Sequence, residues 1–299
     1  MKLVPYGAAG GNVIPSRIFL QGKDAEESIL LDCGDAIPEK GEKNHRIDFG
    51  SLRPSIVKKI LVSHGHTDHV GALPAFVQAG FKGEIESTQG TQEITSALIR
   101  DNYPQALVND VFDRYQKPRK YLERFEIADG VYATFYPARG HILEASSILL
   151  EFERLKLRVL FTGDLGNNKM MLDINGAIPK VDIVISESTY GHREHHPDFN
   201  LSLEQLHEGI RNTCRNEGNF FIPVLSINKL QEVLFHVNLA REKGDIPNDV
   251  NVVVDSTLGE AITRIYNKPY FRHLYSLDAI KFFNSYSKVY PFAYTNRAN

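Results

Sequence analysis

Residues Lys58–Pro74 read KKILVSHGHTDHVGALP. An apolar run is followed at once by His64, His66, Asp68 and His69. The chain has only 11 histidines in 299 residues, so three of them within six positions require a physical reason. In an extended segment, side chains two apart point the same way. A strand ending near Ser63 therefore aims His64 and His66 at one point. Asp68 and His69 follow where a helix begins, and can turn back toward a neighbouring point. Gly65 lets the chain turn closely beside them. Imidazole and carboxylate donors without cysteine suit Zn²⁺, Mn²⁺ or Fe²⁺, and favour catalytic over closed structural coordination.

Outward from this junction, RIFLQ (Arg17–Gln21), SILLDC (Ser28–Cys33) and KKILVS (Lys58–Ser63) read as strands. HVGALPAFVQAG (His69–Gly80) and GTQEITSALIRDNY (Gly90–Tyr103) read as helices, and Asn102–Arg124 as a helical region interrupted by Pro104 and Pro118. Four more strands follow, GVYATFYP, ASSILLEFE, LRVLFTGD and VDIVISES, with a hairpin turning around Arg154–Lys156. After Glu187 the pattern changes to strand–helix alternation: helix 200–218, strand NFFIPV, helix 228–244, strand NVVVDS and a helix from Thr257 to Tyr266. Such alternation predicts a parallel α/β sheet. The polar stretch Gly191–Pro197 marks a domain boundary, giving residues 1–191 and 192–299.

The net charge is −3, so the chain is not a polycation built to coat nucleic acid. Its two cysteines, Cys33 and Cys214, form no CxxC pair and support neither a disulfide framework nor a cysteine–zinc ribbon. With no long apolar segment, a cytoplasmic protein is the simplest expectation.

LLDCG (Leu30–Gly34), SHGHTDHVGALP, RGHILEASSILLE (Arg139–Glu151) and FTGDLG (Phe161–Gly166) together resemble the metallo-β-lactamase superfamily. The resemblance implies an αββα sandwich with a two-metal site, two Zn²⁺ being expected and Mn²⁺ an alternative. It maps His64, His66 and His141 onto one metal, Asp68 and His69 onto the second, and Asp164 onto both. Asp32 maps onto an acid that orients the site. Taken singly, Asp32, His141 and Asp164 would each pass as turn residues; their joint presence at strand ends carries the resemblance.

SESTYG (Ser186–Gly191), FFIPVLSINKLQEVL and NVVVDSTLGEAITRIY resemble the β-CASP branch, whose members process nucleic acids. The resemblance implies RNA or another single-stranded nucleic acid as substrate, RNA being the first expectation, phosphodiester hydrolysis by a metal-activated hydroxide, catalytic roles for Asp68 and Asp32, and for Glu187 the part of an acid that supports a histidine protonating the leaving group. The sequence departs from the branch in four places. Asn228 and Lys229 stand where Gly-Arg is usual, and Pro15 replaces a glycine. Two later histidines lack counterparts, since His192, His195, His196 and His273 fall in unsuitable contexts. The chain also stops short of the usual length, so it reads as a C-terminally truncated member, with the sandwich incomplete in its second half. Its second metal site is expected to be incomplete, and an open sheet edge is expected to favour a homo-oligomer or a complementing partner chain. RYQKPRKYLER (Arg114–Arg124) offers five basic residues that could either grip phosphates or form a solvated face. Two other readings remain: a metal-binding but inactive RNA-binding or assembly subunit, and a small-molecule metallo-hydrolase.

Overall fold

The computed structural model describes residues 2–7, 16–21, 28–35, 47–138, 140–166, 171–172, 177–194, 197–289 and 293–294. Pro15, His195 and His196 lie outside them. The chain divides into two compact units, residues 1–168 with 174–187, and residues 169–173 with 188–299.

The first unit contains two five-stranded sheets. One sheet holds β1 (Lys2–Pro5), β2 (Ile18–Gln21), β3 (Ser28–Leu31), β4 (Lys59–Leu61) and β5 (Glu84–Glu86) in sequential order. It is antiparallel from β1 to β3 and parallel from β3 to β5. The other runs β10 (Ile183–Ile185), β9 (Leu157–Phe161), β8 (Ser146–Phe152), β7 (Val131–Pro137) and β6 (Arg124–Ala128). Its strands are antiparallel except β10, which runs parallel to β9.

Strand parity explains how the layers meet. Ile18, Leu20, Ile29, Leu31 and Leu61 of the first sheet pack with Phe125, Phe135, Ile148, Leu150, Val159 and Phe161 of the second in one buried core. The intervening residues Leu30 and Ile60 are also fully buried, and must face the opposite side. A strand buried on both faces reads as a continuous apolar run, which is what Ile60–Val62 and Ile29–Leu31 are. Four helices lie in the connections after β4 and β5: α1 (Thr67–Val70), α2 (Leu73–Gln78), α3 (Gln89–Asn102) and α4 (Gln105–Phe112). The single helix expected over 69–80 is broken, because Pro74 lacks an N–H and sits in the first turn of a new helix instead. The expected hairpin between β8 and β9 turns through Lys156 at φ 48°.

The second unit contains α5 (Phe199–Arg215), α6 (Lys229–Glu242), β11 (Val253–Val254), α7 (Thr257–Tyr266), α8 (Leu277–Val289) and β12 (Ala293–Tyr294). Parallel pairing is limited, among the described residues, to β11 with β12. NFFIPV, expected as a strand, makes no ladder, and Phe221 is 86% exposed. The Gly-Arg departure falls on a strained position: Asn228 sits at φ 66°, a conformation that glycine adopts without cost. Its side chain is tied in by Tyr266 Oη at 3.1 Å and donates to Glu232 at 2.7 Å.

The five basic residues of Arg114–Arg124 do not form one free patch. Arg119 forks onto buried Glu86, at 2.9 and 3.2 Å, and lies over the Phe125 ring. Arg124 bonds Glu151 and Glu153, each at 2.9 Å, and Arg114 lies over Phe81. Lys117 and Lys120 are exposed.

Candidate metal centre

The expected ligands sit in the connections that leave the strands, two of them in the short helix α1. β4 delivers Ser63 and His64; His66 is the residue before α1, and Asp68 and His69 lie within it. His141 lies in the turn between β7 and β8, and Asp164 just after β9. Gly166 makes the meeting of these two turns feasible, since a Cβ there would fall 2.2 Å from the His141 amide nitrogen.

The side chains converge. His66 Nδ1 lies 3.1 Å from His64 Nε2 and 3.2 Å from His141 Nε2. Asp164 Oδ2 lies 3.9 Å from His64 Nε2 and 3.6 Å from His141 Nε2. These four residues form one candidate ligand group, and Asp68, His69 and Asp164 form a second. In the second, His69 Nε2 stands 3.4 Å from Asp164 Oδ1 and 3.6 Å from Asp68 Oδ2. Asp164 is common to both groups. Closely opposed ring nitrogens and a shared carboxylate make a poor set of mutual hydrogen bonds and a good set of lone pairs around a divalent ion.

The tautomers are fixed from behind. Asp32 is fully buried and accepts from the Ser63 amide at 2.7 Å, the Ser63 hydroxyl at 2.8 Å and His69 Nδ1 at 2.7 Å. With its proton given to Asp32, Ser63 Oγ accepts from His64 Nδ1 at 3.1 Å. Both imidazoles thus turn Nδ1 to the support and Nε2 toward the neighbouring donors. Ser63 was not evident from sequence as part of the site, because its partner lies 31 residues away.

The field favours positive charge at this point. Burial opposes charging His69, but Asp32 and Asp164 outweigh it and raise its pKa well above the ordinary value. Burial likewise works to raise the Asp164 pKa, yet the bond and charge of His69, with His141 and His66, take it down to about 2. His64 is held neutral by burial and by its three imidazole neighbours. His64 neutral and Asp164 ionised are already in the forms that ligate metal, and a divalent ion would take the place of the proton that the two acids favour on His69, so the donors present fit such an ion.

Glu187 follows β10, and its Oε1 accepts from the Leu165 amide at 3.3 Å, one residue past Asp164. Its own amide donates to Thr162 Oγ1 at 3.2 Å. Of the late histidines, His192 accepts from exposed Arg193 at 3.3 Å, and His273 Nδ1 lies 2.9 Å from the Tyr270 carbonyl.

The metallo-β-lactamase superfamily model matches residues 12–208. The chain belongs to this superfamily. Among sequence relatives, a Thermus thermophilus ribonuclease is 28% identical over 243 residues, covering 79% of this chain and 54% of that protein. An RNase J-like protein of Methanocaldococcus jannaschii is 33% identical over 247 residues, covering 80% and 55%. Cleavage and polyadenylation specificity factor subunit 3 of Dictyostelium discoideum is 28% identical, covering 78% and 31%. The RNA-processing names among these relatives bear out the branch of the superfamily read from the sequence. The chain spans about half the length of the first two relatives.

Proposed function

We propose that this chain carries the metal centre of a ribonuclease that hydrolyses phosphodiester bonds in RNA. The convergence of His64, His66, His141, Asp68, His69 and Asp164 into two ligand groups sharing one carboxylate carries this reading. His64, His66, His141 and Asp164 would hold one Zn²⁺, and Asp68, His69 and Asp164 a second. Such ions lower the pKa of bound water toward neutrality and offset charge developing on a phosphoryl oxygen. The protein's own part is to hold the donors still: Asp32 and Ser63 orient His69 and His64, and Asp164 stays ionised. Glu187, braced against the turn that carries Asp164, is the candidate for supporting proton delivery to the leaving group. Lys229, on the second unit and 61% exposed, is paired with Glu232 at 2.9 Å and is the candidate phosphate contact there.

One observation favours a second reading, a metal-binding subunit that engages RNA without cutting it. Among the described residues the second ligand group has three members against four in the first. Calorimetric zinc titration combined with cleavage of labelled single-stranded RNA separates the two. One tight and one weak site with RNA cleavage, lost in His64→Ala, supports the nuclease. Zinc and RNA binding without cleavage supports the second reading. Turnover of a thioester or β-lactam with RNA left intact would point instead to a small-molecule hydrolase.

A further inference from the structure

Glu144 combines two unfavourable features. Its backbone is left-handed, at φ 52°, where a residue with a Cβ is strained. Its side chain is an acid that is only 6% exposed, and burying a carboxylate is costly. Either feature alone could be removed by a glycine or a small polar residue. Their coexistence points to something the side chain does.

The geometry shows what that is. Glu144 Oε2 accepts from the Gly90 amide at 2.6 Å, in the first turn of α3, where an acid is also favoured by N–H groups that have no partner within the helix and by the helix dipole. The Glu144 carbonyl accepts from the hydroxyl of Thr88 at 2.8 Å and from that of Thr91 at 3.3 Å. Gly90 is packed directly beneath the loop, with Glu144 Cβ and the Leu143 carbonyl about where its own Cβ would press, at 3.0 and 3.1 Å. One residue type in the loop and a short run in the helix thus form a continuous seam.

The same helix supports the other half of the first ligand group. A Cβ on Gly65, between His64 and His66, would fall 2.6 Å from Ile94 Cγ2 and 3.5 Å from the Thr95 amide nitrogen, both in α3. So α3 bears on the His64–His66 turn through Ile94 and on the His141 loop through Glu144. The two turns approach each other from different sheets, and the helix is a common reference for both.

We propose that Glu144 is a positioning residue: its carboxylate clasps the His141 loop to the first turn of α3 and so sets His141 against His64 and His66. The inference rests on the metal-centre reading for its consequence, though not for the clasp itself.

The test uses the full chain and three variants. Glu144→Gly removes the carboxylate while suiting the left-handed backbone. Glu144→Asp keeps the charge but is one methylene too short to reach Gly90. Glu144→Gln keeps an acceptor at the right length. Zinc affinity is read by competition with a chromophoric chelator, and amide hydrogen exchange across 141–146 is read by mass spectrometry on metal-free protein. The Gly and Asp variants should lose about tenfold in affinity at the tighter site, as losses of supporting bonds commonly do, and should exchange faster across 141–146. The Gln variant should match the parent in both. Unchanged exchange in both the Gly and Asp variants overturns the clasp, whatever the affinity. Faster exchange with unchanged zinc affinity overturns its link to His141. Should the parent chain bind no zinc, the metal-centre reading and the positioning role both fail, while the exchange arm still decides whether the clasp exists.

Discussion

The hydroxyl of Ser63 donates to Asp32 Oδ2 across 2.8 Å, deep beneath the metal centre. Because that hydroxyl also receives His64 Nδ1, it relays the orientation of a buried acid to a ligand that the acid does not touch. Ser63→Ala should leave Asp32 with one fewer donor and His64 free to rotate. We expect a loss of about 1–3 kcal/mol in stability and about tenfold in zinc affinity, checked by urea denaturation of metal-free protein and by chelator competition.

Asp164 belongs to both ligand groups, so its replacement should have a different signature from that of a histidine. Asp164→Asn should weaken both zinc sites, whereas His141→Ala should weaken one. Calorimetric titration will show two affected transitions in the first variant and one in the second. RNA cleavage should fall on the order of a hundredfold or more in each.

Arg119 tests the fate of the basic stretch. It forks onto Glu86, whose side chain is 1% exposed, and its removal would leave that buried carboxylate, among the described residues, with Lys59 alone, 4.0 Å away. Arg119→Ala should therefore destabilise the fold by about 1.5–3 kcal/mol, the range for hydrogen bonds to a charged group. The salt dependence of RNA binding should be unchanged, because no phosphate contact is lost. A shallower salt slope with intact stability would show that the guanidinium meets RNA instead.

His236 makes the stability of the second unit depend on pH. It is 6% exposed, between the rings of Phe199 and Phe235. Burial takes its pKa down to about 4, with His207 and Lys243 adding to the effect and Glu232 opposing it. Between that value and 6.5 the unfolded chain binds a proton that the folded chain does not, so stability rises with pH in this window. The contribution is fully present above 6.5 and is lost as pH falls toward 4, by up to roughly 3 kcal/mol. Urea melts at pH 7 and pH 5 should differ accordingly, and His236→Leu should flatten this part of the profile.

On β10, Ile183 is 39% and Val184 58% exposed, on a strand with one neighbour among the described residues. Exposed apolar edges pair readily with other chains. Val184→Lys should reduce self-association, measured as a shift toward monomer in sedimentation velocity.

The candidate ligands were legible in the sequence because they cluster just beyond strand ends, and because parity alone puts His64 and His66 together. The continuous apolar runs were legible for a related reason, since strands covered on both faces have no polar side. What the sequence hid lies in pairings between distant positions. Ser63 meets Asp32, Glu144 meets Gly90, and Arg119 meets Glu86, at separations of 31, 54 and 33 residues. A run of basic residues looks like a patch when the acids that answer it lie elsewhere in the chain. NFFIPV has the composition of a strand, but composition does not supply the neighbour that a ladder requires.

The ligand groups draw on turns that belong to two separate sheets, so neither layer can assemble them by itself. An ion seated there would act as a rivet through the sandwich, and the free energy of its binding would add to that of docking the layers. Zinc supply should then govern how long the chain survives proteases, and scarcity of the ion should be felt first as loosening between the layers, before any strand comes apart.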